Sequence, residues 1–147
     1  MTEPQNTADE LARRWVRYFT AGEREKWLPM LAADQVTRDL RPLVGIDTTG
    51  IDGVAEAYPR DRSTRPMTST VETVAVRGET FALLRWRATS GSGREWDSFH
   101  LTQWNDEGLN VLNVIFPPDQ QNEALAELDS LYEQSTRGPA RDSEQPR

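Results

Sequence analysis

Three side chains of this sequence are suited to moving protons or holding charge inside a pocket: Asp39, Arg41 and His100. Asp39 and Arg41 are two residues apart in an extended segment, so they share a face. If that face points inward, Asp39 is a general base whose pKa the apolar surroundings raise, and Arg41 holds an anionic or enolate oxygen. If Leu40 points inward instead, both charges are solvated, and strand alternation alone does not decide between the two arrangements.

His100 is the single histidine of the chain and lies within residues 95–104, whose aromatic and β-branched side chains are typical of a strand. An imidazole with an ordinary pKa donates or accepts a proton near neutral pH. Because side chains alternate along a strand, the face that carries His100 also carries Trp96, Ser98, Thr102 and Trp104. A wall of mixed polarity with one titratable group is typical of small-molecule pockets. The alternative is a structural histidine with satisfied hydrogen bonds.

Neighbouring segments supply further candidates. Trp15 lies on the apolar face of a helix, where it either packs in the core or forms a pocket wall. The strand that contains Arg85 and Trp86 is partly apolar on both faces, so which of the two lines the pocket stays open. Asn110 and Asn113 have opposite parity on the last strand, and we expect Asn113 to face the pocket as a hydrogen-bond donor.

The elements that must position these residues follow from the spacing of apolar side chains. A Thr-x-x-Glu capping box at Thr7 begins a helix that Gly22 ends. From Thr68 onward the period is two, with short glycine-bearing turns, which predicts an antiparallel meander. The expected order is helix 7–22, helix 23–33, strand 36–41, loop 45–50, helix 51–58, link 60–66, strands 68–76, 80–89, 95–104 and 109–116, and helix 119–132.

Helices first and strands later predict an α+β fold in which a curved antiparallel sheet wraps around the N-terminal helices. We expect one domain over residues 7–134, a disordered N-terminus over 1–6 and a disordered polar tail over 135–147. The outward side chains of the central strand include Phe99 and Leu101, which suggests a covered outer face and hence a homodimer.

The composition argues against several functions. A net charge of -7 without a Lys/Arg patch argues against nucleic-acid binding. The absence of cysteine rules out disulfides and thiolate metal sites, and a single histidine rules out a histidine-rich metal centre. No apolar run approaches a membrane span, and the acidic N-terminus is unlike a signal peptide. We therefore expect a cytoplasmic protein without cofactor or membrane partner.

Three segments carry a family resemblance. Residues 31–39 read Leu-Ala-Ala-Asp-Gln-Val-Thr-Arg-Asp, similar to an L-A-D-D-x-V-x-x-D run. Residues 50–54, Gly-Ile-Asp-Gly-Val, are similar to a G-x-x-G-I/V helix entry. The turn Asn-Asp-Glu-Gly at 105–108 leads through a strand to the Ala-Leu-Ala-Glu-Leu helix at 124–128. In this order they resemble the SnoaL-like branch of the nuclear-transport-factor-two-like (NTF2-like) superfamily, over roughly residues 11–132.

This resemblance implies a cone-shaped fold, in which a bent sheet and helices enclose a deep apolar pocket, commonly in a dimer formed through the outer sheet face. The superfamily includes ketosteroid isomerase, polyketide cyclases, limonene epoxide hydrolase, dehydratases and binding modules without chemistry, so the fold does not settle the function. By position, Asp39 corresponds to the base of ketosteroid isomerase-like members, and His100 to the acidic hydrogen-bond donor. Trp15 stands where those members have a tyrosine and cannot supply its phenol, and the Arg-x-Asp pattern of the epoxide hydrolase is not visible.

These features predict a cofactor-independent enzyme that cyclises, isomerises or dehydrates an apolar, polyketide-like or polycyclic substrate, in natural-product biosynthesis. Asp39 is the expected base and His100 the acid or oxyanion donor, facing each other across an open cavity. The alternative is a dimeric ligand-binding or accessory module in which salt bridges or solvent engage these groups. A third interpretation is an association domain with tryptophans filling the cavity. The expected substrate-binding residues are Trp15, Arg41, Trp86, Trp96, Ser98, Thr102, Trp104 and Asn113.

Overall fold

The α+β class expected from the sequence is confirmed. The computed structural model describes residues 5–41, 48–50, 52–53, 67–91, 93 and 95–144. The helix expected at 51–58 lies almost entirely outside the described residues, and the link at 60–66 lies wholly outside them. The described elements are helices α1 (Thr7–Thr20), α2 (Arg24–Trp27) and α3 (Gln121–Glu144), and strands β1 (Leu31–Asp39), β2 (Thr48–Thr49), β3 (Met67–Arg77), β4 (Phe81–Ser90), β5 (Glu95–Trp104) and β6 (Asn110–Phe116).

Helix α1 is capped by Asn6 and not by Thr7. Asn6 Oδ1 accepts a hydrogen bond from the Asp9 backbone N–H at 2.7 Å, which satisfies one of the free donors at the helix start. Thr7 is the first helical residue, and its hydroxyl donates to Glu79 at 2.7 Å. Asn6 Nδ2 also donates to two backbone carbonyl oxygens in and after the β3–β4 turn. Asn6 therefore belongs to the folded unit, although the sequence places it in a disordered N-terminus.

The second predicted helix is shorter than expected. Instead of one helix over 23–33, the chain forms α2, a 3₁₀ turn (Leu28–Met30) and the start of β1. Pro29 explains the break, because proline has no N–H to donate and its ring clashes with the preceding turn. β1 therefore begins at Leu31.

The strands form one sheet in the order β2-β1-β6-β5-β4-β3. Strands β3 to β6 are the predicted antiparallel meander. β1 lies parallel to β6, so the sheet is mixed and not wholly antiparallel, and β2 pairs with β1 in a stretch predicted as loop. Register shifts between Thr73 and Ala75 and between Gln103 and Trp104 mark β-bulges, which bend a sheet.

Helices cover both faces of the sheet. On the inner face, α1 packs over β3, β4 and β5, where the buried cluster comprises Ala8, Ala12, Ala82, Leu84 and Trp104. On the outer face, α3 packs over the same three strands, where the buried cluster comprises Phe81, Leu83, Phe99, Leu101, Val114, Phe116, Ala124 and Leu128.

The outer cluster accounts for the side chains that suggested a homodimer. Phe99 and Leu101 are 1% and 0% exposed and lie in one cluster with Ala124 and Leu128 of α3. The face is therefore covered within a single chain. The homodimer stays a prediction, but these apolar side chains no longer support it, because α3 already covers them.

Helix α3 continues past Tyr132, its predicted end, to Glu144. It therefore extends into the segment that the sequence predicts as a disordered tail. The extension includes Gly138 and Pro139, and proline cannot donate the backbone hydrogen bond that other residues add to a growing helix. In the part of the chain that the structure describes, no helix is long and apolar enough to cross a membrane.

Candidate functional site

A cavity of about 110 Å³ lies between the inner face of the sheet and helix α1. Helix α1 contributes Ala12, Trp15, Val16 and Phe19, and strands β1, β4, β5 and β6 form the other walls. The lining is mostly apolar. Among the described residues that line the cavity, Arg41 is the one charged side chain. Such a space suits a small molecule that is largely apolar and carries few polar groups.

Strand β5 turns its predicted face to the cavity. The five alternating residues that line it are Trp96, Ser98, His100, Thr102 and Trp104. The Thr102 hydroxyl donates to the Ala82 carbonyl oxygen at 3.2 Å and accepts from the Trp104 indole at 3.0 Å. Thr102 is therefore a wall residue whose hydrogen-bonding capacity is already in use.

Strand β4 places Trp86 at the cavity and Arg85 on the opposite face. Trp86 pairs across the strands with Ser98, and both line the cavity. Arg85 Nε and Nη2 donate to the Asp97 carboxylate at 3.0 and 2.8 Å. The register that the sequence leaves open is thus fixed.

Asp39 and Arg41 point inward and form an ion pair, whereas Leu40 is 43% exposed. Arg41 Nε donates to Asp39 Oδ1 at 2.8 Å, and its Nη2 donates to Oδ2. The Arg41 backbone N–H also donates to Oδ1, at 3.1 Å. The Asp39 side chain is fully buried and does not line the cavity, whereas Arg41 does. The expected arrangement, with Asp39 and His100 facing each other across open space, is therefore absent from this conformation.

His100 lies at the cavity as an uncharged imidazole. Burial and, to a smaller extent, the Arg41 guanidinium together lower the pKa of His100 to about 3, and the Asp39 carboxylate partly opposes them. The Trp86 ring packs edge-on against the His100 imidazole, with the two ring centroids 5.0 Å apart. Ser98 Oγ lies 2.9 Å from His100 Nε2. The serine hydroxyl can accept from Nε2 or donate to it, so both tautomers of the neutral imidazole are compatible with this contact. Nδ1 carries a lone pair in the first case and the proton in the second.

Asp39 and His100 nevertheless belong to one row of the sheet. Asp39 is paired with Ile115, and Ile115 is paired with His100. Side chains paired in this way project on the same face. Neighbouring strands are about 4.8 Å apart, so the two backbones are separated by about 10 Å. Ile115 lies between them and lines the cavity.

A cluster of polar side chains forms another part of the lining. Gln35 Nε2 donates to Thr37 Oγ1 and to Asn110 Oδ1, both at 2.9 Å, and Gln35 is fully buried. Asn110 and Asn113 both line the cavity despite their opposite parity, because the pairing of β6 with β5 shifts at the Gln103/Trp104 bulge. Gln35 and Thr37 are not among the site residues predicted from the sequence. They could have been recognised because they alternate with Asp39 along β1 and therefore lie on the same face of the strand.

Aromatic rings close the helix side of the cavity. Trp15 stacks on Phe19 with centroids 4.9 Å apart, and it meets Trp27 and Trp86 edge-on at 5.6 and 6.5 Å. Trp15 is therefore both a core residue and a cavity wall. The indole Nε1 atoms of Trp15 and Trp86 are buried and have no hydrogen-bond acceptor among the described residues. The surrounding ring faces offer weak N–H···π contacts.

No family model matches the chain, and no curated protein sequence matches it. Solved structures match it in fold. RV0760c from Mycobacterium tuberculosis has a TM-score of 0.66 and 20% identity, covering 78% of this chain and 92% of that chain. The Δ5-3-ketosteroid isomerase from Mycobacterium sp. has a TM-score of 0.63 and 20% identity, covering 76% and 92%. An NTF2-like protein of unknown function from Mesorhizobium loti has a TM-score of 0.60 and 16% identity, covering 79% and 94%.

These likenesses concern the backbone, because the identities are too low to carry residue roles from one protein to another. They agree with the mixed sheet, with its helices and with the cavity between the sheet and α1. This chain has the NTF2-like fold, which it shares with ketosteroid isomerase.

Proposed function

We propose that this chain binds a small, largely apolar organic molecule in the cavity and holds it by hydrogen bonds from uncharged groups. The observation that carries the proposal is an apolar cavity whose polar lining is electrically balanced. His100 is neutral because its pKa is lowered to about 3, and the charge of Arg41 is matched by Asp39. A ligand with a net charge would gain little here and would lose its hydration. Support for a largely apolar ligand, although not for an uncharged one, comes from a protein with this fold: RV0760c has a structure in complex with estradiol-17β-hemisuccinate.

The volume of the cavity sets the size of the ligand. An apolar cavity of about 150 Å³ binds benzene, and the cavity in this chain measures about 110 Å³. The space therefore holds about one ring, and a substituent on that ring must reach beyond the cavity or displace a wall side chain. A polycyclic molecule must displace wall side chains or reach beyond the cavity. Single-ring compounds are the appropriate first probes.

Binding is tested by titrating acetophenone and following the tryptophan indole N–H signals by NMR. The variant Ala88→Leu adds side-chain volume at a buried residue that lines the cavity. Its matched control is Thr89→Leu, which adds a similar side chain at the next, exposed residue of β4. We expect Ala88→Leu to weaken binding at least about fivefold, because overpacking a filled site costs about 1–3 kcal/mol. Unchanged affinity in Ala88→Leu, or no binding by the natural sequence, contradicts the proposal.

A second candidate function is acid–base catalysis in the same cavity, as cyclisation, isomerisation or dehydration of a polyketide-like substrate in natural-product biosynthesis. The row that joins Asp39, Ile115 and His100 favours it. Arg41 would turn from Asp39 to a developing enolate oxygen, and the freed carboxylate would take the substrate proton. In the observed conformation the carboxylate is engaged, so binding without turnover needs no rearrangement.

Catalysis is tested by the exchange of the acetophenone methyl protons with D₂O, which reports enolisation directly. A catalytic pocket accelerates the exchange above the buffer rate, and Asp39→Asn abolishes this acceleration because the amide cannot accept the proton. His100→Ala reports whether the imidazole assists. Exchange at the buffer rate while acetophenone is bound leaves binding as the function.

A further inference from the structure

Hydrogen bonds at one end of the cavity fix the orientation of the Asn110 amide. Asn110 Nδ2 lies 3.2 and 3.3 Å from the backbone carbonyl oxygens of Gln103 and Leu112. Backbone carbonyl oxygens only accept hydrogen bonds, so this end of the amide must be the NH₂ group. The Asn110 oxygen then faces Gln35 Nε2, which donates to it at 2.9 Å. The orientation of the Asn110 amide is therefore set by two backbone carbonyl oxygens, which cannot act as donors.

Asn113 takes its orientation from Asn110. The NH₂ group of Asn110 also lies 3.1 Å from Asn113 Oδ1, so its two N–H bonds are shared among three oxygens. Because a donor faces it, Asn113 presents its oxygen to Asn110 and turns its own NH₂ group the other way. Asn113 lines the cavity, and its Nδ2 has no partner among the described residues. A neutral side chain thus offers N–H donors to a ligand.

Asn113 is also close to His100. His100 is paired with Ile115, and Asn113 lies two residues before Ile115 on the same strand. Diagonal neighbours of this kind have backbones about 7–8 Å apart, which lets both side chains reach one small ligand. His100 adapts as donor or acceptor through its tautomers, whereas Asn113 is held as a donor. The fixed donor is therefore the side chain that discriminates between ligands.

We propose that Asn113 makes the cavity selective for a ketone or related carbonyl compound, by donating from Nδ2 to the carbonyl oxygen. Asn110 is the positioning residue, because it keeps the Asn113 oxygen occupied and the NH₂ group turned to the cavity. This inference rests on the proposed binding function and adds the chemical class of the ligand. It assigns the polar cluster a role beyond filling space.

The test compares acetophenone with α-methylstyrene, which has nearly the same shape but carries C=CH₂ in place of C=O. We expect acetophenone to bind the natural sequence about 5- to 10-fold more tightly, as one neutral hydrogen bond in a buried site provides. Asn113→Asp keeps the side-chain shape and replaces the NH₂ group by oxygen, and Asn113→Leu removes the amide without adding charge. Both variants should bring the affinity ratio close to one, while α-methylstyrene still binds.

Asn110→Leu tests the positioning role. Without Asn110 the Asn113 amide can turn either end to the cavity, so the acetophenone preference should fall without vanishing. A merely structural role would weaken the two probes equally and leave their ratio unchanged, which overturns the assignment of Asn110. An unchanged ratio in both Asn113 variants, or equal affinities in the natural sequence, overturns the selectivity while binding stands. If neither probe binds the natural sequence, the proposed function fails and this inference fails with it.

Discussion

His100 should make the stability of this protein depend on pH above the range in which carboxylates titrate. Its pKa is about 3 in the folded protein and 6.5 for an unperturbed histidine. Below pH 6.5 the unfolded chain binds a proton that the folded chain does not bind. Unfolding is therefore favoured as the pH falls. The stability that depends on an uncharged His100 is complete above pH 6.5 and is lost progressively down to about pH 3.

The size of the effect follows from linkage. Between pH 7 and pH 5, one histidine with an unfolded pKa of about 6.5 that stays neutral in the fold lowers the free energy of unfolding by about 2 kcal/mol. The same loss results for any folded pKa below about 4, because the folded state is then unprotonated at pH 5. Asp97 and Glu79 have pKa values lowered below their ordinary 3.8 and 4.5 in the fold, so their contributions are lost mainly below pH 5.

The perturbation is His100→Gln, which keeps a polar side chain of similar reach but cannot titrate. Urea denaturation at pH 7 and pH 5 gives the free energy of unfolding of both proteins. We expect the natural sequence to lose about 2 kcal/mol more than the variant over this interval. The ring-proton signals of the single histidine should also stay constant between pH 8 and pH 5. Equal losses in the two proteins, together with a histidine that titrates near 6.5, would refute the reasoning.

Two further predictions concern the ion pair and the outer helix. Arg41→Met removes the guanidinium that pairs with the buried Asp39 carboxylate and should cost about 3–5 kcal/mol of unfolding free energy. The double variant Arg41→Met/Asp39→Asn should recover much of the lost unfolding free energy, because it removes the buried charge. Equal denaturation midpoints for the natural sequence, the single variant and the double variant would show that the pair is not buried. Leu128→Ala removes a fully buried side chain of α3 and should cost about 2–5 kcal/mol. Acetophenone affinity should stay unchanged in folded Leu128→Ala protein, because α3 lies on the face opposite the cavity; a large loss of affinity would contradict this.

Alternation along β5 is the part of the site that sequence reasoning predicts best. The strand bounds and the cavity-facing residues agree with the structure because β5 is paired on both sides, which fixes its pleat. The same rule leaves β1 undecided, because Leu40 and the Asp39/Arg41 pair are both acceptable inward on a short segment. In the structure Asp39 and Arg41 point inward and form an ion pair. Arg41 gives the buried carboxylate an opposite charge and hydrogen-bond donors.

Features that depend on long-range contacts escape sequence reasoning. The bulge between Gln103 and Trp104 brings Asn110 to the cavity together with Asn113, against strict alternation. The apolar stripe of α3 predicts a helix that must pack somewhere, but not the face on which it packs. Phe99 therefore suggests a subunit interface when the sequence is taken alone, whereas the structure covers it with α3. In each case the missing information is a tertiary contact and not a local preference.

Arg41 connects the two candidate functions. It engages both carboxylate oxygens of Asp39, and its charge contributes to lowering the pKa of His100. Both effects remove what acid–base catalysis needs, which is a free carboxylate and an imidazole that can hold a proton near neutral pH. A ligand oxygen that gains negative charge would attract Arg41 and reverse the first effect, whereas a hydrocarbon would not. Proton exchange in bound acetophenone therefore reports whether Arg41 changes partner, and binding of α-methylstyrene reports the cavity alone.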